Sequence, residues 1–268
     1  MTVPTSLGPS HVLSARGFGA HPPIVFLHGF GSAAAPFAPV FMRMRRHARH
    51  VFAPELPAHG LSGPAHGDLT TGALREATRQ LFEHLVPQEP FVLVGNSMGG
   101  ALSLMYAIDR PQRVSALVLL SPAAARVPDQ DWQAVREHFQ LRTDEDVRRF
   151  AARVYHEVPW FLPYFPLLVR DLRRELTRPE LTKLLDQVKV EDAPSAEELA
   201  RLTMPILLAW GRSDRLLPQS ALAWFKEHLP PHTKVIEPTG WGHCPHIDDP
   251  QGLVRELRSF LDTSLGSS

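Results

Sequence analysis

Four short apolar runs constrain this chain more than anything else in it: PIVFLHG (residues 23–29), FVLVGN (91–96), VSALVLLS (114–121) and PILLAWG (205–211). Each is short for a helix and too continuously apolar for a sheet with one wet face. Each therefore reads as a strand buried on both sides. HVFAPEL (50–56) and KVIEP (234–238) read as two more polar strands. Helical patterns over 69–86, 99–109, 219–228 and 250–261 fall between the strands or follow the last of them. This alternation predicts an α/β fold, a mostly parallel central sheet with helices on both faces. Ahead of the first apolar run the sequence leaves room for little more than one strand, 11–15.

Residues 129–202 break the rhythm. No strand is legible there, only charged amphipathic stretches around the proline-broken VPWFLPYFPLL (158–168). A helical insertion late in the strand order is expected to sit as a cap over the C-terminal edge of the sheet, where open α/β sheets bind ligands. The expected organisation is a core in two parts, 1–127 and 203–268, with a cap or lid of 128–202. Trp160, Phe161, Tyr164 and Phe165 are the candidates for a substrate pocket. Pro159, Pro163 and Pro166 prevent one long helix through them, and about half of the apolar side chains there are expected to build only the cap's own core.

The run FVLVGN leads into Ser97, Met98, Gly99 and Gly100, so Gly95–Gly99 reads G-x-S-x-G between a strand and a helix. A sharp turn at that junction lifts the Ser97 hydroxyl clear of the backbone, near free N–H groups at a helix N-terminus. A serine hydroxyl needs a base to become a nucleophile. Of 14 histidines, His243 in GWGHCPHIDDP follows the last strand on a loop flanked by Gly242, with His246 its rival. The base in turn needs a carboxylate to orient it. Asp214, in WGRSDRLLP after the strand 205–211, completes the chain order Ser, Asp, His that accompanies this kind of elbow. Backbone N–H groups of Met98 and of Phe30, in the loop His28-Gly29-Phe30-Gly31-Ser32, are the candidate oxyanion donors. His28 reads as a stabiliser of that loop.

HGFGS (28–32), ELPAHGLS (55–62), GNSMGG (95–100), GRSDRLLP (211–218) and GHCPHIDDP (242–250), in this order, closely resemble the α/β-hydrolase superfamily, in its capped single-domain branch of esterases. The resemblance spans nearly the whole chain and implies a serine carboxylesterase that uses no cofactor and no metal. Its partner would be a small-molecule ester of short-to-medium acyl length, roughly C4 to C8 if a narrow roofed pocket sets the limit. Thioesterase, methyl esterase and lipase activities are its near alternatives, C–C bond hydrolysis a further one, and a receptor without turnover the non-enzymatic one. Ser97 stands where aspartate would indicate dehalogenase or epoxide hydrolase chemistry. Cys244 stands where the C–C hydrolases usually carry tryptophan. Glu55 and Ala58 replace an Asp and a Gly often seen in such relatives.

Charge narrows the partners. Lysine plus arginine equals aspartate plus glutamate, 28 each, so no net field draws the chain to nucleic acid or to a membrane. One cysteine precludes an intramolecular disulfide, and no secretory leader or 20-residue apolar run is visible, which together point to the cytoplasm. Four arginines on one predicted helix, Arg170, Arg173, Arg174 and Arg178, could dock a phosphate-bearing carrier. Asp171, Glu175 and Glu180 at pairing distance favour an ordinary solvated face. Nothing in the sequence specifies an oligomer.

Overall fold

In the computed structural model, residues 1–159 and 165–266 are described. The strands are β1 (Thr2–Thr5), β2 (Gly8–Arg16), β3 (Ile24–Leu27), β4 (His50–Pro54), β5 (Phe91–Asn96), β6 (Val114–Leu120), β7 (Ile206–Ala209) and β8 (Lys234–Ile236). They form one sheet in the order β1-β2-β4-β3-β5-β6-β7-β8. β3 to β8 are parallel throughout, and β1 and β2 join antiparallel at one edge. The helices are α1 (Ala38–Met44), α2 (Thr71–Leu85), α3 (Met98–Asp109), α4 (Asp129–His138), α5 (Asp144–Val154), α6 (Pro166–Leu176), α7 (Pro179–Gln187), α8 (Ala196–Ala200), α9 (Gln219–His228), α10 (Pro245–Asp248) and α11 (Pro250–Leu265). This is the α/β-hydrolase fold.

The continuous apolar runs are sorted by the two-residue period of the strand. Val25, Leu27, Leu93, Leu117 and Leu119 face one core with α2, α3 and α9. Ile24, Phe26, Val92, Val94, Ala116 and Val118 face the other with α1 and α11. Both faces are dry, as the patterning requires. Helices α4 to α8 lie between β6 and β7, where the helical insertion is expected. They carry a small core of their own, in which Val147, Phe150, Val154, Val169 and Leu176 are buried together with Leu216.

Two elements differ from the sequence reading. The single leading strand is instead a hairpin, β1–β2, closed by Ser6 and Leu7, with Gly8 at φ 104°. Pro4 and Pro9 face each other in it and hide it from a pattern search; an edge hairpin tolerates them because the outer N–H row is not needed for pairing. The short helix α1 also escapes notice. Pro36 opens a 3-10 turn and Pro39 the helix itself, positions where a missing N–H costs nothing.

Candidate active site

β5 ends at Asn96 and α3 begins at Met98, so Ser97 alone makes the turn. It sits at φ 55°, ψ −119°, a conformation that costs a non-glycine residue roughly 1–3 kcal/mol. The surrounding bonds hold it there. Ser97 N–H donates to Leu120 O at 3.0 Å, and its carbonyl accepts from Ala101 and Ala123 N–H, both at 3.0 Å. A side chain at Gly99 would stand 2.3 Å from Leu27 O, and one at Gly95 2.4 Å from Gly99 O. The glycines of G-x-S-x-G are therefore there because strand and helix approach too closely for a Cβ.

Asp214 lies on the loop between β7 and α9, and His243 on the loop between β8 and α10. His243 Nδ1 donates to Asp214 Oδ2 at 2.8 Å, and both side chains are buried. The other carboxylate oxygen accepts from Leu216 N–H at 2.9 Å and Leu217 N–H at 3.1 Å. Burial works against ionisation of Asp214. The His243 imidazole and these donors outweigh it and hold the carboxyl below the usual aspartate range. With Nδ1–H committed to Asp214, the free lone pair of neutral His243 is on Nε2, which is buried and has no hydrogen-bond partner among the described residues.

The loop after β3 supplies the other wall. Its Gly29 passes so close to Ser97 that an added Cβ would be 3.1 Å from the serine Cβ. His28 holds the loop from beneath: Nδ1–H donates to Gly29 O at 2.8 Å, and Nε2 accepts from Leu56 N–H at 3.0 Å. Burial pushes its pKa down and keeps it neutral for both roles. Glu55 ties the same loop to the next, accepting from Ala34 N–H at 3.1 Å and Leu61 N–H at 2.6 Å. Ala58 takes φ 64°, a left-handed conformation usually left to glycine. Phe30 and Met98 both border the cavity above Ser97, and among the described residues neither backbone N–H has an acceptor.

That cavity, about 120 Å³, is walled by Leu74, Leu102, Trp132, Val135, Phe139 and Leu184 among others, with Ser97 at its floor. Apolar space of this order accepts a benzene-sized group. Its roof comes from α4, α7 and the chain after α7. Phe165 is not part of it; that side chain is 51% exposed. Trp160, Phe161 and Tyr164 lie outside the described residues.

Three further placements complete the site. His246, the rival base, is buried and stacked on Phe37 with ring centroids 4.0 Å apart. The four arginines of the insertion each face a carboxylate: Arg170 and Arg173 share Asp144, Arg174 faces Asp171, and Arg178 pairs with Glu175 while donating to Ala58 O. Among the described residues no group of three or more His, Cys, Asp or Glu is placed to hold a metal ion.

Sequence reasoning missed Asn96 and the role of Asp248. Asn96 Nδ2 donates to His243 O at 2.8 Å and to Leu120 O at 3.0 Å. The Asp248 carboxylate accepts from Gly242 N–H at 2.7 Å and His156 N–H at 3.0 Å, holding the histidine loop by its backbone. The only sequence signal for either is a polar residue beside a motif residue.

A model of the alpha/beta hydrolase family matches residues 24–256. Lipase 1 of Psychrobacter immobilis is 26% identical, over 95% of this chain and 82% of that protein. The pimeloyl-[acyl-carrier protein] methyl ester esterase of Vibrio vulnificus (strain CMCP6) is 28% identical, over 90% of this chain and 95% of that one. The crystal structure of a membrane phospholipase A, described as a bacterial virulence factor, superposes with a TM-score of 0.84 at 24% identity, covering 99% of this chain and 86% of that one. With that match over residues 24–256 and a sheet of this strand order, the chain belongs to the alpha/beta hydrolase family.

Proposed function

We propose that this protein is a serine hydrolase of carboxylic esters. The observation that carries the reading is the buried His243–Asp214 hydrogen bond, on a loop that Asn96 ties to the turn of the strained Ser97, which itself lines an apolar cavity. In the proposed reaction Ser97 Oγ attacks the ester carbonyl while His243 Nε2 takes its proton. Asp214 steadies the imidazolium, and the N–H groups of Phe30 and Met98 receive the oxyanion. His243 then protonates the departing alcohol. A water deprotonated by the same nitrogen attacks the acyl-enzyme, releasing the acid and restoring Ser97. Every step uses this chain's own side chains and backbone.

The relatives named as a lipase and a methyl ester esterase support ester cleavage as the reaction class. Acyl groups of short to medium length fit the cavity, with α4 and α7 serving as a cap that limits chain length. The deciding experiment combines fluorophosphonate labelling with a substrate panel of p-nitrophenyl esters, thioesters and a vinylogous diketone. Labelling confined to Ser97 and fastest turnover on the esters are expected. Absence of labelling, or faster cleavage of the diketone, overturns the reading.

A further inference from the structure

At the opposite end of the sheet from Ser97, the loop between β2 and β3 presents Phe18 to solvent, 79% exposed. An exposed phenylalanine on a mobile loop would be unremarked, but this loop is clamped. Gly17 N–H donates to Arg49 O, Phe18 N–H to Arg45 O, Gly19 N–H to Ala48 O and His21 N–H to His47 O. Gly17 and Gly19 lie so tightly against that backbone that added Cβ atoms would stand 1.9 Å from Ala48 O and 2.1 Å from His47 C. The ring is therefore held outward by rigid backbone on both sides.

Arginines surround it. The Arg45 guanidinium lies over the Phe18 ring, 5.1 Å from its centroid, and its Nε donates to Arg16 O. Arg46 and Arg258 line one cleft with Phe18 and His47. Arg43 and Met42, the latter 53% exposed, lie on the outer face of the last turn of α1, two and three residues ahead of Arg45. Among the described residues Arg16, Arg43, Arg45, Arg46 and Arg258 have no ion-pair partner. The acids nearby are Glu89, paired with Arg49, and Asp262, which sits in the cleft against His21. A chain with no net charge thus concentrates unpaired cations around a fixed aromatic and an exposed methionine.

We propose that this face docks the protein on an anionic phospholipid surface. Arginines gain from the negative surface potential, and an aromatic ring at headgroup depth supplies the apolar contact that charge alone lacks. An acidic soluble partner would use the arginines but would leave the projecting ring without a purpose. Docking this way leaves the C-terminal edge of the sheet, with Ser97, facing water, so turnover of a soluble ester is independent of it.

The test is co-sedimentation of the full chain with phosphatidylcholine vesicles and with vesicles of equal phosphatidylcholine and phosphatidylglycerol. Binding to the anionic vesicles alone is expected, abolished in about 1 M salt, where charges are screened beyond about 3 Å. Arg46→Gln and Arg258→Gln should each weaken it roughly fivefold. Phe18→Ser should weaken it several-fold without altering the melting temperature or the turnover of a soluble p-nitrophenyl ester. Absence of binding, equal binding to both vesicles, or binding unaffected by Phe18→Ser overturns the proposal. So does a concentration-dependent dimer that Phe18→Ser dissolves, since the ring would then serve a second copy of the chain.

Discussion

The side-chain amide of Asn96 donates to the carbonyl of His243 at 2.8 Å, joining two residues 147 positions apart. The residue before the nucleophile thereby holds the loop that carries the base. Asn96→Ala leaves the buried His243 carbonyl without its donor and Leu120 O with Ser97 N–H alone, at a cost of about 1–3 kcal/mol. Turnover should fall roughly 10- to 100-fold, by analogy with the loss of partners that orient the ligands of a metal site, while fluorophosphonate still labels Ser97 slowly. Stopped-assay kinetics and thermal melts check both. Wild-type turnover would mean that the loop is held without Asn96.

Ser97 separates activity from stability. Ser97→Ala should lose on the order of 10⁶ in turnover and melt like the wild type, because alanine keeps the strained φ of 55°. Ser97→Gly should be equally inactive yet more stable by about 1 kcal/mol, since glycine occupies that region at little cost. Calorimetry of the pair measures the strain directly.

Asp214→Asn should cost roughly 10⁴ in turnover, by analogy with the triad aspartate of serine proteases. Asp248→Asn should cost far less, because Asp248 holds only backbone N–H groups, Gly242 on one oxygen and His156 on the other, and the amide keeps an acceptor for one of the two. Comparable losses in the two variants would contradict separate roles for the two carboxylates.

Acid lability should follow from His59 and His246. Burial, with other histidines nearby, lowers each from 6.5 to about 3. Between these values the unfolded chain binds protons that the native chain does not, so stability is full above about pH 6.5 and falls as the pH drops toward 3. At pH 5 each histidine should account for a loss of roughly 2 kcal/mol. Denaturant titrations at pH 7 and pH 5 test this: His246→Leu should shrink the difference by about that amount while retaining most activity. An unchanged difference would remove His246 from the account.

Chain-length selectivity should answer to Trp132 and not to Phe165, because Trp132 walls the cavity and Phe165 faces solvent. Trp132→Ala should move the acyl optimum to longer chains, with up to about 0.8 kcal/mol gained per added methylene. Phe165→Ala should leave the profile unchanged. A p-nitrophenyl ester series from C2 to C12 compares the variants; a shift in Phe165→Ala alone would reverse the assignment.

The core strands and the elbow were legible in the residues because both obey short-range rules. Continuous apolar runs can be buried only between two helical layers, and G-x-S-x-G between strand and helix demands a turn too tight for side chains. The candidates Ser97, Asp214 and His243 were legible because each sits on the turn or loop that follows a strand. What needed tertiary structure was every relation between distant segments. Residues Asp214 and Asp248 are alike as letters, and only the folded loops put the first on an imidazole and the second on backbone N–H groups. Phe165 and Trp132 are both aromatic residues of the helical insertion, and helix packing alone decided which one faces the cavity. The same holds for the basic face. An equal count of opposite charges hides its segregation, because Arg16, the arginines around α1 and Arg258 meet only when β2, α1 and α11 are brought to one end of the sheet.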